Sequence, residues 1–209
     1  MIPVEDRHSP YALPVLETFY SIQGEGLNTG KAAYFIRMGG CDMGCRWCDS
    51  KEAWNWVPES WTTVEVLVAG IVKSKANSVV VTGGEPLLYD LGLLTQQCHK
   101  HNLKLYLETS GAHKLSGTWD WICLSPKPQK EPLAEFYSLA SELKVIIYDK
   151  HKDFIWAEKM ADRVNKDCAL LLQPEWSRFN ETKPWVVDYV KKHPKWRVSV
   201  QTHKYLRIP

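Results

Sequence analysis

Seven short runs of aliphatic and β-branched residues set the strongest limit on what this chain can fold into. They are "AYFIRM" (33–38), "SVVVT" (78–82), "LKLYLE" (103–108), "WICLS" (121–125), "LKVII" (143–147), "ALLLQ" (169–173) and "WRVSV" (196–200). Helical patterns lie between several of them. One starts at Thr62, with Glu65 three residues on as a capping box. Others run from Asp90 to about residue 101, over about 153–165 and over about 182–193. Near-continuous apolar strands alternating with helices imply a parallel sheet covered on its outer face. The segment 109–120 is too short for a long helix, so the alternation is reduced in the middle. A full eightfold α/β barrel needs about 250 residues, and this chain has 209. The predicted fold class is therefore α/β: a shortened, incomplete parallel (β/α) barrel, as one domain over residues 1–209. In such folds the chemistry sits where strands end and loops begin.

Charge excludes little and favours no polyanion. Lys plus Arg minus Asp plus Glu is 26 − 24 = +2, too balanced to suggest a nucleic-acid binder. No run of 18 apolar residues exists, so no membrane span is expected. The opening "MIPVEDRHSP" lacks the apolar core of a secretion signal. A cytoplasmic location follows as an expectation. Ten tryptophans exceed what a small core needs; they are either packing or, in part, the lining of a pocket for a flat substrate.

The loop after the first regular strand, "GGCDMGCRWCDS" (39–50), gathers Cys41, Cys45 and Cys48 at C-x3-C-x2-C spacing. No fourth cysteine or histidine follows closely. Clustered cysteines point to metal, and the scattered Cys98, Cys123 and Cys168 to burial. Three thiolates can hold three irons of a [4Fe–4S] cluster and leave the fourth open to a small molecule. Spacing alone also admits a zinc site completed by a distant histidine, or a cluster whose fourth cysteine lies far away. The second regular strand ends in "TGGEP" (82–86), where glycines let the backbone approach a ligand closely.

These two motifs, at consecutive strand ends and about 35 residues apart, resemble the radical S-adenosylmethionine superfamily, with Trp47 as the aromatic residue before the last cysteine. Within it the chain resembles the 7-carboxy-7-deazaguanine synthase family over essentially its whole length. The matching segments are "TFYSIQGEG" (18–26), Arg37 four residues before Cys41, "CDS" (48–50), "VTGGEPLL" (81–88), "ETSG" (108–111), "SPK" (125–127), "LQP" (172–174) and "QTHKYLRIP" (201–209). The resemblance implies ring contraction of 6-carboxy-5,6,7,8-tetrahydropterin to 7-carboxy-7-deazaguanine with loss of ammonia, in queuosine-type 7-deazapurine biosynthesis. It implies a [4Fe–4S] cluster, S-adenosylmethionine and Mg²⁺ as cofactors, a homodimer, and an electron donor such as flavodoxin or ferredoxin.

Residue roles implied by the same resemblance are these. Cys41, Cys45 and Cys48 ligate the cluster, and Ser50 binds magnesium in place of the family's threonine. Trp47, Asp49, Gly84, Glu108, Ser125, Pro126, Lys127, Gln173, Pro174, Glu175 and Trp176 lie around S-adenosylmethionine; Trp176 stands where smaller residues are usual. Ile22, Gln23, Gly24, Arg37, Thr82 and Pro209 meet the pterin. Residues 18–26 form a substrate loop, and the tail 201–209 turns back over the barrel mouth with the Pro209 carboxylate as an acceptor. Glu25, His203 and Lys204 are left between substrate and surface roles. Two other readings share part of the pattern: a glycyl-radical-enzyme activating enzyme of the same superfamily, and a non-catalytic metal-binding module.

Overall fold

The structure is a computed structural model that describes residues 10–54 and 61–209. The first nine residues, which hold nearly all of the segment read for a secretion signal, lie outside the described residues. Every apolar run forms a strand. The strands are β1 (Ala12–Leu13), β2 (Val15–Ile22), β3 (Ala32–Met38), β4 (Thr62–Thr63), β5 (Ser78–Gly83), β6 (Lys104–Thr109), β7 (Trp121–Leu124), β8 (Glu142–Ile147), β9 (Ala169–Pro174) and β10 (Trp196–Val198). The helices are α1 (Val64–Ser74), α2 (Gly92–Lys100), α3 (Ala134–Leu139), α4 (Lys152–Ala161), α5 (Phe179–Lys192) and α6 (Thr202–Leu206).

The main sheet has the order β10-β9-β8-β7-β6-β5-β3-β2. All neighbours in it pair in parallel except β2, which runs antiparallel to β3. The sheet does not close; β10 and β2 are its edges. It curls so far that the edges meet through side chains and loops instead of a ladder. Gly26 N donates to Ser199 Oγ at 3.0 Å, and Thr202 N donates to Gly24 O at 2.9 Å. That is the incomplete parallel barrel expected from the sequence, with no helix between β6 and β7.

The outer face carries the apolar core. Ile36, Val81, Leu107, Leu124, Leu143 and Leu172 are all fully buried there against the helices, with Leu67, Leu94, Phe136 and Met160 above them. Alternate residues of the same strands point inward. At the bottom of the barrel Phe35, Val80, Phe19 and Tyr106 plug the interior. Toward the strand ends the inward residues turn polar, and that gradient places the site.

Several boundaries differ from the sequence reading. Thr63, not Thr62, caps α1: the helix starts at Val64, and the Thr63 hydroxyl accepts from Val66 N at 3.4 Å, while both threonines pair with β1. Helix α5 begins three residues earlier than read. The Glu175 carboxylate accepts from Ser177 N and Arg178 N, which satisfies the turn leading into it. Residues 18–22 of the expected substrate loop are strand, not loop, because β2 pairs with β3 from Val15 to Ile22. Strand β10 stops at Val198, and the tail forms α6.

Candidate active site

Strand ends β3, β5, β6, β7, β8 and β9 deliver the functional side chains to one mouth. The cysteine loop leaves β3 and folds onto the "GGEP" turn that ends β5. Glu85 N donates to Gly40 O at 2.9 Å, and Gly84 N donates to Met38 O. A Cβ on Gly84 would collide with the Gly40 carbonyl, so only glycine lets the two loops pack this closely. Buried Glu85 holds the turn: its carboxylate accepts from Thr109 Oγ1, Ser110 N and Ser110 Oγ at 2.6, 2.9 and 2.5 Å.

Cys41, Cys45 and Cys48 converge with Met43, Trp47 and Ala112 in a small apolar nest, and all three face one cavity. Gln129 Nε2 donates to Cys45 Sγ at 3.2 Å, and Ser50 N donates to Cys48 Sγ at 3.4 Å. Burial pushes the Cys41 thiol up to about 11 and raises that of Cys45. Metal binding must then displace protons, as thiolate ligation does in general. Convergence of three thiols, none of them in a disulfide, with N–H donors aimed at sulfur, fits a cluster with three protein ligands. No fourth cysteine is among the described residues that line the cavity.

The cysteine cavity holds about 170 Å³ and is also lined by Asp49, Gly84, Glu108, Ser125, Lys127, Gln173, Pro174, Glu175 and Trp176. Lys127 Nζ stands 5.1 Å from the centroid of the Trp47 ring and donates to Ser125 Oγ at 2.7 Å; burial lowers its pKa. Pro126 does not line the cavity. It is buried behind it, where its carbonyl accepts from the Trp156 indole. The Glu175 carboxylate is engaged by the turn it caps, and Trp176 meets Tyr205 of α6 edge-on at 5.4 Å.

A second cavity of about 310 Å³ adjoins the first. Ile22, Gln23, Gly24, Arg37, Ser50, Thr82, His203, Lys204 and Pro209 line it. Glu25, Asp49, Thr82, Gly83 and Glu108 belong to both walls. Gln23 is largely committed: its amide N–H donates to Glu108 Oε1 and its carbonyl accepts from Glu25 N, both at 3.1 Å. The Gly24 carbonyl is likewise taken by Thr202 N and Oγ1, and a Cβ at Gly24 would strike the His203 ring. Arg37 Nε pairs with Glu17 at 2.7 Å and its Nη1 reaches Ser50 Oγ at 3.3 Å, which leaves Nη2 for a ligand. Ser21 Oγ donates to the Pro209 carbonyl at 3.0 Å.

Sequence reasoning passed over the residue at the centre of this mouth. Lys144, on β8, is buried and donates to Glu25 Oε2 at 2.5 Å and to Glu108 Oε2 at 2.8 Å. Glu25 also accepts from Gln201 Nε2, which reaches Asp49 as well. Lys204 pairs with Asp49 at 2.8 Å. Burial alone would raise Glu25; Lys144 and Gln201 outweigh it and hold the carboxyl at about 2. Burial alone would lower Lys144, but Cys123 and the carboxylates of Glu108, Glu25 and Glu142 hold it well above the ordinary lysine range. The available signal was a lysine inside the otherwise apolar run "LKVII", since a charge there needs a buried partner.

Comparison with known proteins agrees with this architecture. A model of the radical SAM superfamily matches residues 35–122. The chain is 58% identical over 197 residues to 7-carboxy-7-deazaguanine synthase of Flavobacterium psychrophilum, covering 94% of this chain and 93% of that protein. This chain belongs to the 7-carboxy-7-deazaguanine synthase family. The synthase of Synechocystis is 49% identical over 93% of each chain. The crystal structure of QueE from Escherichia coli superposes with a TM-score of 0.79 at 30% identity, covering 91% of this chain and 93% of that one. The chain is thus a radical S-adenosylmethionine enzyme, and the readings as an activating enzyme or a metal-binding module are set aside. No helix among the described residues is long and apolar enough to cross a membrane.

Proposed function

We propose that this chain contracts 6-carboxy-5,6,7,8-tetrahydropterin to 7-carboxy-7-deazaguanine with loss of ammonia, as a step of queuosine-type 7-deazapurine biosynthesis. The observation that carries the reading is the pair of adjoining cavities with a shared wall at Glu25, Thr82 and Glu108. One is lined by the three thiols and suits S-adenosylmethionine on a [4Fe–4S] cluster. The other offers a guanidinium, a hydroxyl and carboxylates to a small polar ring. When bound, the cluster and S-adenosylmethionine supply a 5′-deoxyadenosyl radical that takes hydrogen from C6 of the pterin.

The protein's part is binding, orientation and exclusion of water. Cys41, Cys45 and Cys48 hold the cluster. Trp47, Asp49, Gly84, Ser125, Lys127, Gln173, Pro174, Glu175 and Trp176 enclose the cofactor, with Pro126 supporting the loop from behind. Arg37 grips the substrate carboxylate through its free N–H groups. Ser50, next to it, would supply a hard oxygen to a Mg²⁺ ion, the ligand type that ion takes. Ile22, Gln23, Gly24, Thr82 and Pro209 shape the ring pocket. A homodimer, a flavodoxin or ferredoxin as donor and a cytoplasmic location complete the reading; three buried thiols outside the loop, all unpaired, suit a reducing compartment. Anaerobic incubation of the reconstituted protein with dithionite, S-adenosylmethionine and the carboxytetrahydropterin tests it. The deazapurine chromophore is expected. Cofactor cleavage with no deazapurine would overturn the substrate assignment.

A further inference from the structure

We propose that Lys144 is a positioning residue that locks the shared wall of the two cavities: its ammonium group ties Glu25 and Glu108 together so that both present ionised oxygens to the bound molecules. The proposal rests on the functional reading above and adds a residue to it. The geometry is specific. Glu25 comes from the loop after β2, Glu108 from the end of β6 and Lys144 from the middle of β8. Nothing in the backbone ladder joins β2 to β8, which are separated by β7, β6, β5 and β3 in the sheet order. At 2.5 Å the ammonium therefore ties the loop after β2 to β8, and at 2.8 Å it ties β8 to the end of β6.

Both carboxylates line both cavities, whereas Lys144 lines only the cysteine cavity. Each carboxylate also carries a second tie to the substrate side. Glu108 accepts from Gln23, and Glu25 accepts from Gln201 of the tail. One lysine thus fixes the loop, the tail and the strand end at once.

The electrostatic setting makes the ammonium indispensable to the charge state. Glu142, on the same strand, lies close to Glu108 and Cys123, with ligand atoms within 4.8 Å of one another. Burial and Glu108 together raise the pKa of Glu142. Lys127, Asp49, His203 and Lys204 are further titratable groups in these walls; Lys127 belongs to the loop after β7, Asp49 to the cysteine loop, and His203 and Lys204 to α6. Without Lys144, the carboxylates of Glu25, Glu108 and Glu142 would face one another with no other ion-pair partner among the described residues. Like charges in a desolvated site do not all ionise, so the apparent pKa of the group would climb toward neutrality.

The test compares Lys144→Met and Lys144→Arg in the cluster-loaded protein, by kcat/KM against pH for deazapurine formation. Wild type and Lys144→Arg should share a profile with no limb from this group. Lys144→Met should gain one, with activity about tenfold lower at about pH 6 than at about pH 8, as a group titrating near neutrality requires. Iron content should be unchanged. A Lys144→Met profile parallel to wild type overturns the role. If Lys144→Met does not fold, Lys144→Met/Glu25→Gln balances the lost charge yet leaves Glu108 without its cation. That variant should show the same limb, and a flat profile overturns the proposal. Wild type in the same assay separates the two ideas: absence of deazapurine there counts against the functional reading and not against Lys144, whose loss must still lower affinity for S-adenosylmethionine, read by equilibrium binding.

Discussion

The two faces of the sheet are made from the same strands and follow opposite rules. On the outer face Ile36, Val81, Leu107, Leu124 and Leu143 are sealed under helices. One residue away in each strand, Arg37, Thr82, Glu108, Ser125 and Lys144 face the mouth. The outer face is held by non-directional burial, which tolerates exchange of one aliphatic residue for another. The inner face is held by directed hydrogen bonds and paired charges, where removal of one partner strands the other. Stability and chemistry are thus separated by the period of a strand, and substitutions on the two faces should fail in different ways.

The largest effect is expected at the cysteine loop. Cys45→Ala should lose the cluster and all turnover while the fold persists, whereas Cys98→Ala, whose thiol sits under α2 in the apolar core, should keep its iron. Iron analysis and thermal melts of both variants check this; a Cys45→Ala protein with full iron content breaks the assignment. On the outer face, Leu107→Ala opens a cavity in a fully buried position and should cost about 2–5 kcal/mol. Activity per folded molecule should stay near wild type. Denaturant titration alongside kcat would reveal any blurring of the two faces, shown by a loss of kcat as large as the loss of stability.

How much of this was legible in the sequence follows from the same contrast. The outer face was legible because aliphatic runs at strand length can satisfy themselves only in a covered sheet. Cys41, Cys45 and Cys48 were legible because their chemistry depends on local spacing. Strand β2 was not, because "VLETFYSI" (15–22) is an edge strand whose burial is mixed, so no apolar run marks it. Helix α3 was not, because only six residues form it and no side chain caps it. Lys144 and Gln201 acquire meaning only through partners 119 and 176 residues away, and no local pattern carries such a pairing.

A smaller effect is expected at Ser50. Its hydroxyl lies 3.3 Å from Arg37 Nη1 in the wall of the second cavity. Ser50→Ala should abolish stimulation by magnesium and change activity without it only slightly. Rates with and without added Mg²⁺ decide the point, and equal stimulation of both proteins removes Ser50 as a ligand.

The smallest effect is on acid stability. The Glu25 carboxyl is held at about 2 against an ordinary 4.5. Stability from a depressed carboxyl is complete above its unfolded value and is lost as pH falls toward the folded one. The stability gap between wild type and Glu25→Gln should therefore be widest above about pH 5 and shrink as pH falls toward about 2. Melting temperatures of both proteins across that range check it; a gap that is constant with pH would mean that Glu25 contributes no charge-dependent stability.

The central claim is that the two cavities are halves of one reaction chamber, so that hydrogen passes directly from the molecule in one to the molecule in the other. The most direct measurement uses carboxytetrahydropterin carrying deuterium at C6, with mass analysis of the 5′-deoxyadenosine formed under single-turnover, anaerobic conditions. The account predicts that the label appears in 5′-deoxyadenosine in step with the deazapurine. Unlabelled 5′-deoxyadenosine accompanying full deazapurine formation would contradict it.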